Sequence, residues 1–475
     1  MVTTPPRPSR TRLTVTLTAV AVALALASLT VFDEDQRTVA VPLYLIVSIV
    51  SLFLAFLTQR DGKFPYFDIG VFCALVTGFY LAYPLLAYLI SGLTWSEMSD
   101  NRLLVYNATP AQFARVAWWG VVYLLFLCTS YALVRRYPAA RAGEGLEEPS
   151  RTAVAGMIAL VAFTALYTQL VQIVFQVDLN PSYEANARTA QQLPLLLQQV
   201  TTRLFAIATV LQFALILLLV NHWSDVFWRY VLITWAALQA IMVILVFGAR
   251  SSIVFFVVAW VLAHQRLRSQ LHPLTVFAAG IALIAAAMLY GLVRDIGNHP
   301  VDSIFAASSE FQALYATAYD LIRLRETGML VSVPWQMYIA DLLRLIPQQL
   351  LPFDKIDPAD WYLDAIGAKG LGVGLMFGVM GEAAIGLGPV ELVLRGTAVG
   401  VIFGLIHNWY SARAWRFWPT VFYLWLTVWS YYTYRASTFY LLGHVVTIFL
   451  PAYLLVRIVE STRRSERRPA RHGVP

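Results

Sequence analysis

Long apolar runs broken by short polar stretches recur along the chain, and they set the reading of its elements. A bilayer crossing takes about 20 predominantly apolar residues in a helix. Runs of that order stand at about 13–32, 40–58, 67–91, 115–134, 152–175, 200–221, 229–249, 251–265 and 273–293, and three more follow at 389–408, 417–434 and 437–457. The pattern predicts an all-α, polytopic integral membrane protein of about 12 transmembrane helices. The first run follows a basic head and passes through "ALAS" at 25–28, which looks a little like a signal cleavage site, but its length predicts an uncleaved first span. The expected organisation is one integral membrane domain over 1–460 and a basic cytoplasmic tail over 461–475, which ends in "RRSERRPARHGVP".

Between the ninth and tenth runs the pattern changes. Residues 294–370 carry ten acidic and six basic side chains and several aromatics, so this stretch cannot lie in hydrocarbon and is read as one large loop. Within it, Pro334, Pro347, Pro352 and Pro358 break the chain into short pieces, and "DLLRLIPQQLL" has the spacing of an amphipathic helix lying on the membrane. The next segment, "LGVGLMFGVMGEAAIGLG" at 371–388, decides which side the C-terminus occupies. If it is re-entrant, both termini are cytoplasmic and the cytoplasmic ends and loops hold twenty of the 34 Lys and Arg residues. Six of the remaining fourteen lie in the long loop, where the positive-inside rule has little force. Charge therefore favours a re-entrant segment, and six glycines in eighteen residues suit a backbone that breaks within the membrane against protein or water. The long loop and the two larger connections, 92–114 and 176–199, then share the periplasmic face, where function is expected.

Composition agrees with this class: 59% of the residues are hydrophobic, 13% are charged, and the mean hydropathy is +0.65. A pI near 9.3 raises nucleic acid as a partner, but the basic residues gather in loops and tails beside apolar runs, as membrane topology demands, and no nucleic-acid partner is expected. Cys73 and Cys128 fall inside apolar runs and read as packing residues. Phosphate-binding, dinucleotide-binding, HExxH and CxxC motifs are absent, and the seven histidines form no spaced pair, so no cofactor and no metal site are expected.

What stands out is arginine. "ILVFGARSSIVFF" places Arg250 between two apolar runs, and Arg294 and Arg435 stand at span ends near the same predicted face. A guanidinium stays charged and offers five donors in a planar fork that matches phosphate oxygens. Several of them around a membrane cavity call for an anion, and a lipid-linked pyrophosphate suits that setting. Each one also has a plainer reading, as an interfacial anchor or a snorkelling side chain. Glu382, in "MFGVMGEAAIGLGP", is an acid alone in a glycine-rich apolar stretch. It reads equally as the structural partner of an arginine or as a general base acting on a sugar hydroxyl. His444 in "YLLGHVV" reads as structural. Trp335, Tyr338, Trp361 and Tyr362 could stack on sugar rings, but membrane-edge aromatics are by default belt residues.

Taken together, "GARSS" after a span, the acid and glycines of "GVGLMFGVMGEAAIGLGPVELVLRGTAVGVIFGLIHNWY", and "YRAST" opening the last span resemble the bacterial oligosaccharide repeat-unit polymerases, the O-antigen polymerase (Wzy-like) group. Glu382 and Gly388 match a G-E-x-x-x-x-x-G pattern, Arg435, Ala436 and Ser437 match a second, and Arg250 with Ser251 and Ser252 matches the mid-chain arginine motif. Members of the group usually carry an aromatic and an asparagine where this chain has "AAIGL". The resemblance covers mainly 240–460. It implies a metal-independent glycosyltransferase of the bacterial inner membrane that moves a growing glycan from undecaprenyl pyrophosphate onto a new lipid-linked repeat unit. In that reading Arg250, Arg294 and Arg435 hold the pyrophosphate, Arg250 and Glu382 carry catalysis, and the partners are the lipid-linked oligosaccharides, the bilayer, and the chain-length regulator and flippase of the same pathway. An O-antigen ligase uses the same donor, and a lipid-linked oligosaccharide flippase or transporter would use the same arginine-lined cavity; no repeat between the two halves of the chain favours the transporter.

Overall fold

In a computed structural model of the chain, the described residues are 33–61, 65, 67–91, 109–136, 146–174, 194–230, 233–235, 250–268, 280, 309–328, 333–343, 346, 350–365 and 377–466. They form helices and turns, with no strand among them. The principal helices are α1 (Glu34–Asp61), α2 (Ile69–Ser91), α3 (Pro110–Val134), α4 (Arg151–Val174), α5 (Leu195–Asn221), α6 (Arg250–Leu267), α7 (Ser309–Glu326), α8 (Pro358–Ala365), α9 (Gly378–Ile385), α10 (Pro389–Ser411), α11 (Phe417–Trp429) and α12 (Tyr432–Arg435). A short helix α13 (Tyr440–His444) runs through a π turn at Val445–Phe449 into α14 (Leu450–Glu466). Among the described residues, α1, α2, α3, α10 and the stretch Tyr440–Ser461 are each long and apolar enough to cross a membrane, and α4, α5 and α6 contain shorter apolar helices. The protein is a helical membrane protein.

Most expected runs fall on these helices. The run at 13–32 and most of 229–249 and 273–293 lie outside the described residues. Residues 417–434 differ from the reading as one continuous span: α11 ends at Trp429 and a separate turn of helix, α12, begins at Tyr432. Ser430 and Thr433 sit at this break, and the Thr433 hydroxyl donates to Ser430 O at 2.8 Å, the kind of local bond that competes with a continuing helix. Of "DLLRLIPQQLL", the described part forms only the single turn Ala340–Leu343.

The chain divides into two units. The first comprises 1–138, 298–409 and 429–440. Here α1 and α3 run parallel, because Arg60 at the end of α1 donates to Ala132 O at 3.0 Å and Arg135 O at 2.7 Å at the end of α3. Antiparallel to both lies α2. Gly70 at its start faces the Tyr131 ring, with room for no Cβ, and Tyr88 near its end meets Phe113 at 5.9 Å. The register of α3 and α10 is set by Gly396, Gly400 and Gly404. A Cβ on these would stand 2.6 Å from Tyr123 O, 2.5 Å from Leu127 O and 2.9 Å from Val134 Cβ respectively. Small residues at a four-residue spacing let two backbones touch, which is how apolar helices gain packing energy in a membrane. Both positions advance together along the chain, so α3 and α10 are parallel. Asn408 extends the seam, donating to Val134 O at 3.0 Å and accepting from Arg136 N at 2.7 Å.

A buried polar knot closes the C-terminal end of α3. Asp68 accepts from Tyr131 Oη at 2.6 Å, Arg135 Nε at 2.8 Å and Val71 N at 3.0 Å, while Arg135 also reaches Asp61 Oδ1 at 3.0 Å. His407 Nδ1 lies 3.5 Å from Asp68. Buried charges are tolerated only when paired and hydrogen-bonded in this way.

The second unit comprises 139–297, 410–428 and 441–475. In it α4, α5, α6 and α14 pack together, with Gly156 of α4 giving room for Val459 of α14. Arg268 donates to Val220 O at 2.9 Å and Asn221 O at 2.8 Å, satisfying carbonyls that the end of α5 would otherwise leave bare. Tyr410 stacks on Tyr423 with ring centroids 4.0 Å apart.

Candidate functional site

The eight residues of α9 are all buried, and at 1.5 Å per residue the helix is about 12 Å long, too short to cross hydrocarbon. Its two ends depend on glycine. Gly378 has φ +68°, a backbone that side chains with a Cβ rarely adopt. A Cβ there would also press on Leu314 of α7 and stand 3.4 Å and 3.5 Å from the carbonyls of Tyr434 and Arg435. At the other end, Gly388 has φ +69° and its N–H turns back to Ala383 O at 2.8 Å, so that Pro389 can open α10. The carbonyls freed at this helix end accept from Arg325 of α7, Ala384 O at 2.9 Å and Gly386 O more closely still, a cation where the helix dipole is negative.

Glu382 lies in the middle of α9 and is only 7% exposed. Its Oε2 accepts from Arg395 Nη1 at 2.6 Å and from Thr438 N at 3.4 Å. Arg395 is the hub. It also donates to Thr438 Oγ1 at 2.8 Å and, through Nε, to Glu391 Oε1 at 2.7 Å. Glu391 in turn accepts from Leu387 N at 2.8 Å, tying the turn before α10 to its first helical residues. An acid buried among apolar side chains costs several kcal/mol if left alone, so this guanidinium is what makes Glu382 tolerable.

Arg435 stands on α12, three residues before Thr438, and is 8% exposed. Its Nη1 donates to Tyr432 Oη at 3.0 Å and reaches Tyr431 Oη at 3.5 Å, while the guanidinium lies 5.1 Å from the Tyr432 ring centroid. Tyr432 is itself stacked between Trp429, at 4.8 Å, and Tyr440, at 5.4 Å. A cation held on an aromatic face with phenolic acceptors is not an exposed snorkelling anchor.

Two of the four expected residues therefore come together: the helix carrying Glu382 rests on the turn carrying Arg435, through Gly378 and the Thr438 amide. Arg250 is the first residue of α6, in the other unit, and its side chain lies outside the described residues, as does the whole of Arg294. The residue that sequence reasoning missed is Arg395. Its signal was available, an arginine inside the apolar run 389–408 with only Glu391 as a second charge, and an arginine amid apolar residues is the feature that singled out Arg250. His444 is half-buried where α13 gives way to the π turn.

Beside α9, the long loop supplies α7 and α8, and a buried polar contact joins them. Asp320 of α7, 7% exposed, accepts from Tyr362 Oη of α8 at 2.7 Å. Burial raises the Asp320 carboxyl above its ordinary range, against the opposing pull of the Tyr362 bond and the Arg323 charge. Tyr362 is thus a core residue of the loop, whereas Trp335 and Tyr338 are about half exposed. Tyr338 donates to Ile385 O, at the end of α9, at 3.2 Å.

No family model, curated protein or solved structure matches the chain.

Proposed function

We propose that the protein is a glycosyltransferase of the bacterial inner membrane that polymerises undecaprenyl-pyrophosphate-linked oligosaccharide repeat units at the periplasmic face. The observation that carries this reading is the Glu382–Arg395–Thr438 contact, which joins two short motifs more than fifty residues apart in the chain. The chemistry needs little else. A hydroxyl of the acceptor repeat attacks the anomeric carbon of the donor glycan, the bond from that carbon to the pyrophosphate oxygen breaks, and undecaprenyl pyrophosphate leaves with the electron pair. The hydroxyl proton passes to a base, for which Glu382 is the candidate, and arginines meet the charge that gathers on the leaving group. Arg435, Arg250 and Arg294 are assigned to that charge. Arg395 is a positioning residue, since it fixes the Glu382 carboxylate and touches Thr438.

We further propose twelve spans with both termini in the cytoplasm and 294–370 in the periplasm. Five apolar runs separate α3 from α10 in the sequence. With 371–388 re-entrant, five crossings make α3 and α10 parallel; with it counted as a span, six would make them antiparallel. Their parallel glycine seam supports the re-entrant reading.

The test is a gel of surface polysaccharide from the native host with the gene deleted, complemented by wild type, Arg250→Ala or Arg435→Ala. The reading expects the deletion to collapse a long ladder to single-repeat glycan and both variants to fail to restore it. An unchanged ladder in the deletion would sink it, and full-length glycan from Arg250→Ala would remove that residue from the mechanism.

A further inference from the structure

Where the first turns of α3 face the end of α7 and the start of α10, the surface opens into a cleft of about 560 Å³, within the roughly 300–1,000 Å³ of small-molecule sites. Its walls include Arg115, Trp118 and Trp119 of α3, Arg325 and Glu326 of α7, and Pro389. Trp118 is 43% exposed, and Arg115 pairs with Glu326. The cleft is continuous with the turn that ends α9. A Cβ placed on Gly388 would stand 3.6 Å from the Arg325 guanidinium and 3.7 Å from the Trp119 ring, and Arg325 is bonded to the last carbonyls of α9.

We propose that this cleft is a saccharide subsite holding a sugar ring of the acceptor repeat unit. The inference rests on the polymerase reading and goes further, in naming where the acceptor lies. A pyranose presents an apolar C–H face, which an exposed indole covers, and a rim of hydroxyls, which need both donors and acceptors at close range. Arg115 and Glu326 supply one of each. The same walls argue against a pyrophosphate, because a carboxylate stands among them and the Arg325 guanidinium is engaged by helix carbonyls. They argue against an acyl chain, because three charged side chains line the space. Its open form lets a longer glycan pass on through.

The test uses full-length protein in detergent and, as probe, the repeat-unit oligosaccharide released by mild acid from lipid-linked material of the deletion host. Calorimetric titration is expected to show Trp118→Ala weakening binding by about tenfold, as the loss of one aromatic contact predicts, with Trp118→Phe recovering most of it. In complemented cells Trp118→Ala shortens the ladder. Since Trp118 is 43% exposed, both variants are expected to keep the fold, which a thermal scan checks, and Glu326→Gln gives a second reading of the same site. If the deletion collapses the ladder but the Trp118 and Glu326 variants bind the oligosaccharide as wild type does, the subsite is overturned and the polymerase reading stands. If the deletion leaves the ladder unchanged, both fall together.

Discussion

At the residue scale, the pairing of Glu382 with Arg395 makes two substitutions informative. Arg395→Ala leaves a buried carboxylate without its partner, and breaking such a pair costs about 3–5 kcal/mol, so the purified variant is expected to melt well below wild type in a thermal scan. Glu382→Gln keeps the shape and a hydrogen-bonding oxygen and is expected to fold nearly as wild type. If Glu382 is the base, Glu382→Gln loses the polysaccharide ladder all the same; a normal ladder would leave it as a structural partner only. Asp320 gives a pH prediction. Its carboxyl is raised by burial, while the Tyr362 bond favours the charged form, so it is the burial of Asp320 that costs stability as pH rises through the raised value. Asp320→Asn removes this titration and is expected to keep α7 protected as pH rises while the wild type loosens, and amide hydrogen exchange across 309–326 reads the difference. Equal exchange in the two proteins at alkaline pH would contradict it.

At the element scale, the long spans were legible because hydrocarbon thickness imposes a run length that composition alone reveals. The breaks were less so. The end of α11 at Trp429 is invisible to hydropathy, since Ser430, Tyr431, Tyr432 and Thr433 follow the apolar run without a charge, and the Thr433 hydroxyl turns back on the backbone at Ser430. Of the candidate site, the acid and one arginine were legible as polar residues in apolar surroundings, yet Arg395 was passed over because it lies inside a run rather than at its edge. What no single run could show is which residues meet, since Glu382 and Thr438 approach only through the packing of α9 on α12. The glycine seam is testable as an element. Gly400→Leu drives a side chain into Leu127 O, and overpacking of that kind costs about 1–3 kcal/mol or more. Reduced thermal stability in detergent is the expected result, and unchanged melting would refute a close α3–α10 contact.

At the scale of the whole molecule, topology and chemistry constrain each other. If α3 and α10 both run from periplasm to cytoplasm, Arg115, Arg325 and Glu391 stand toward the periplasmic side and the Asp68–Arg135 knot toward the cytoplasmic side. Cysteine substitutions at Arg102, in the 92–114 connection, and at Arg464, in the tail, are expected to react and to resist a membrane-impermeant maleimide respectively in intact spheroplasts. The reverse pattern would invert the topology and remove the candidate site from the lipid-linked substrate. The most direct measurement of the central claim is reconstitution: purified protein in proteoliposomes with undecaprenyl-pyrophosphate-linked repeat units from the deletion host, resolved by gel. A ladder of lengthening glycan that needs the protein and disappears with Glu382→Ala is the predicted result. Repeat units that stay single in the presence of folded protein would contradict it.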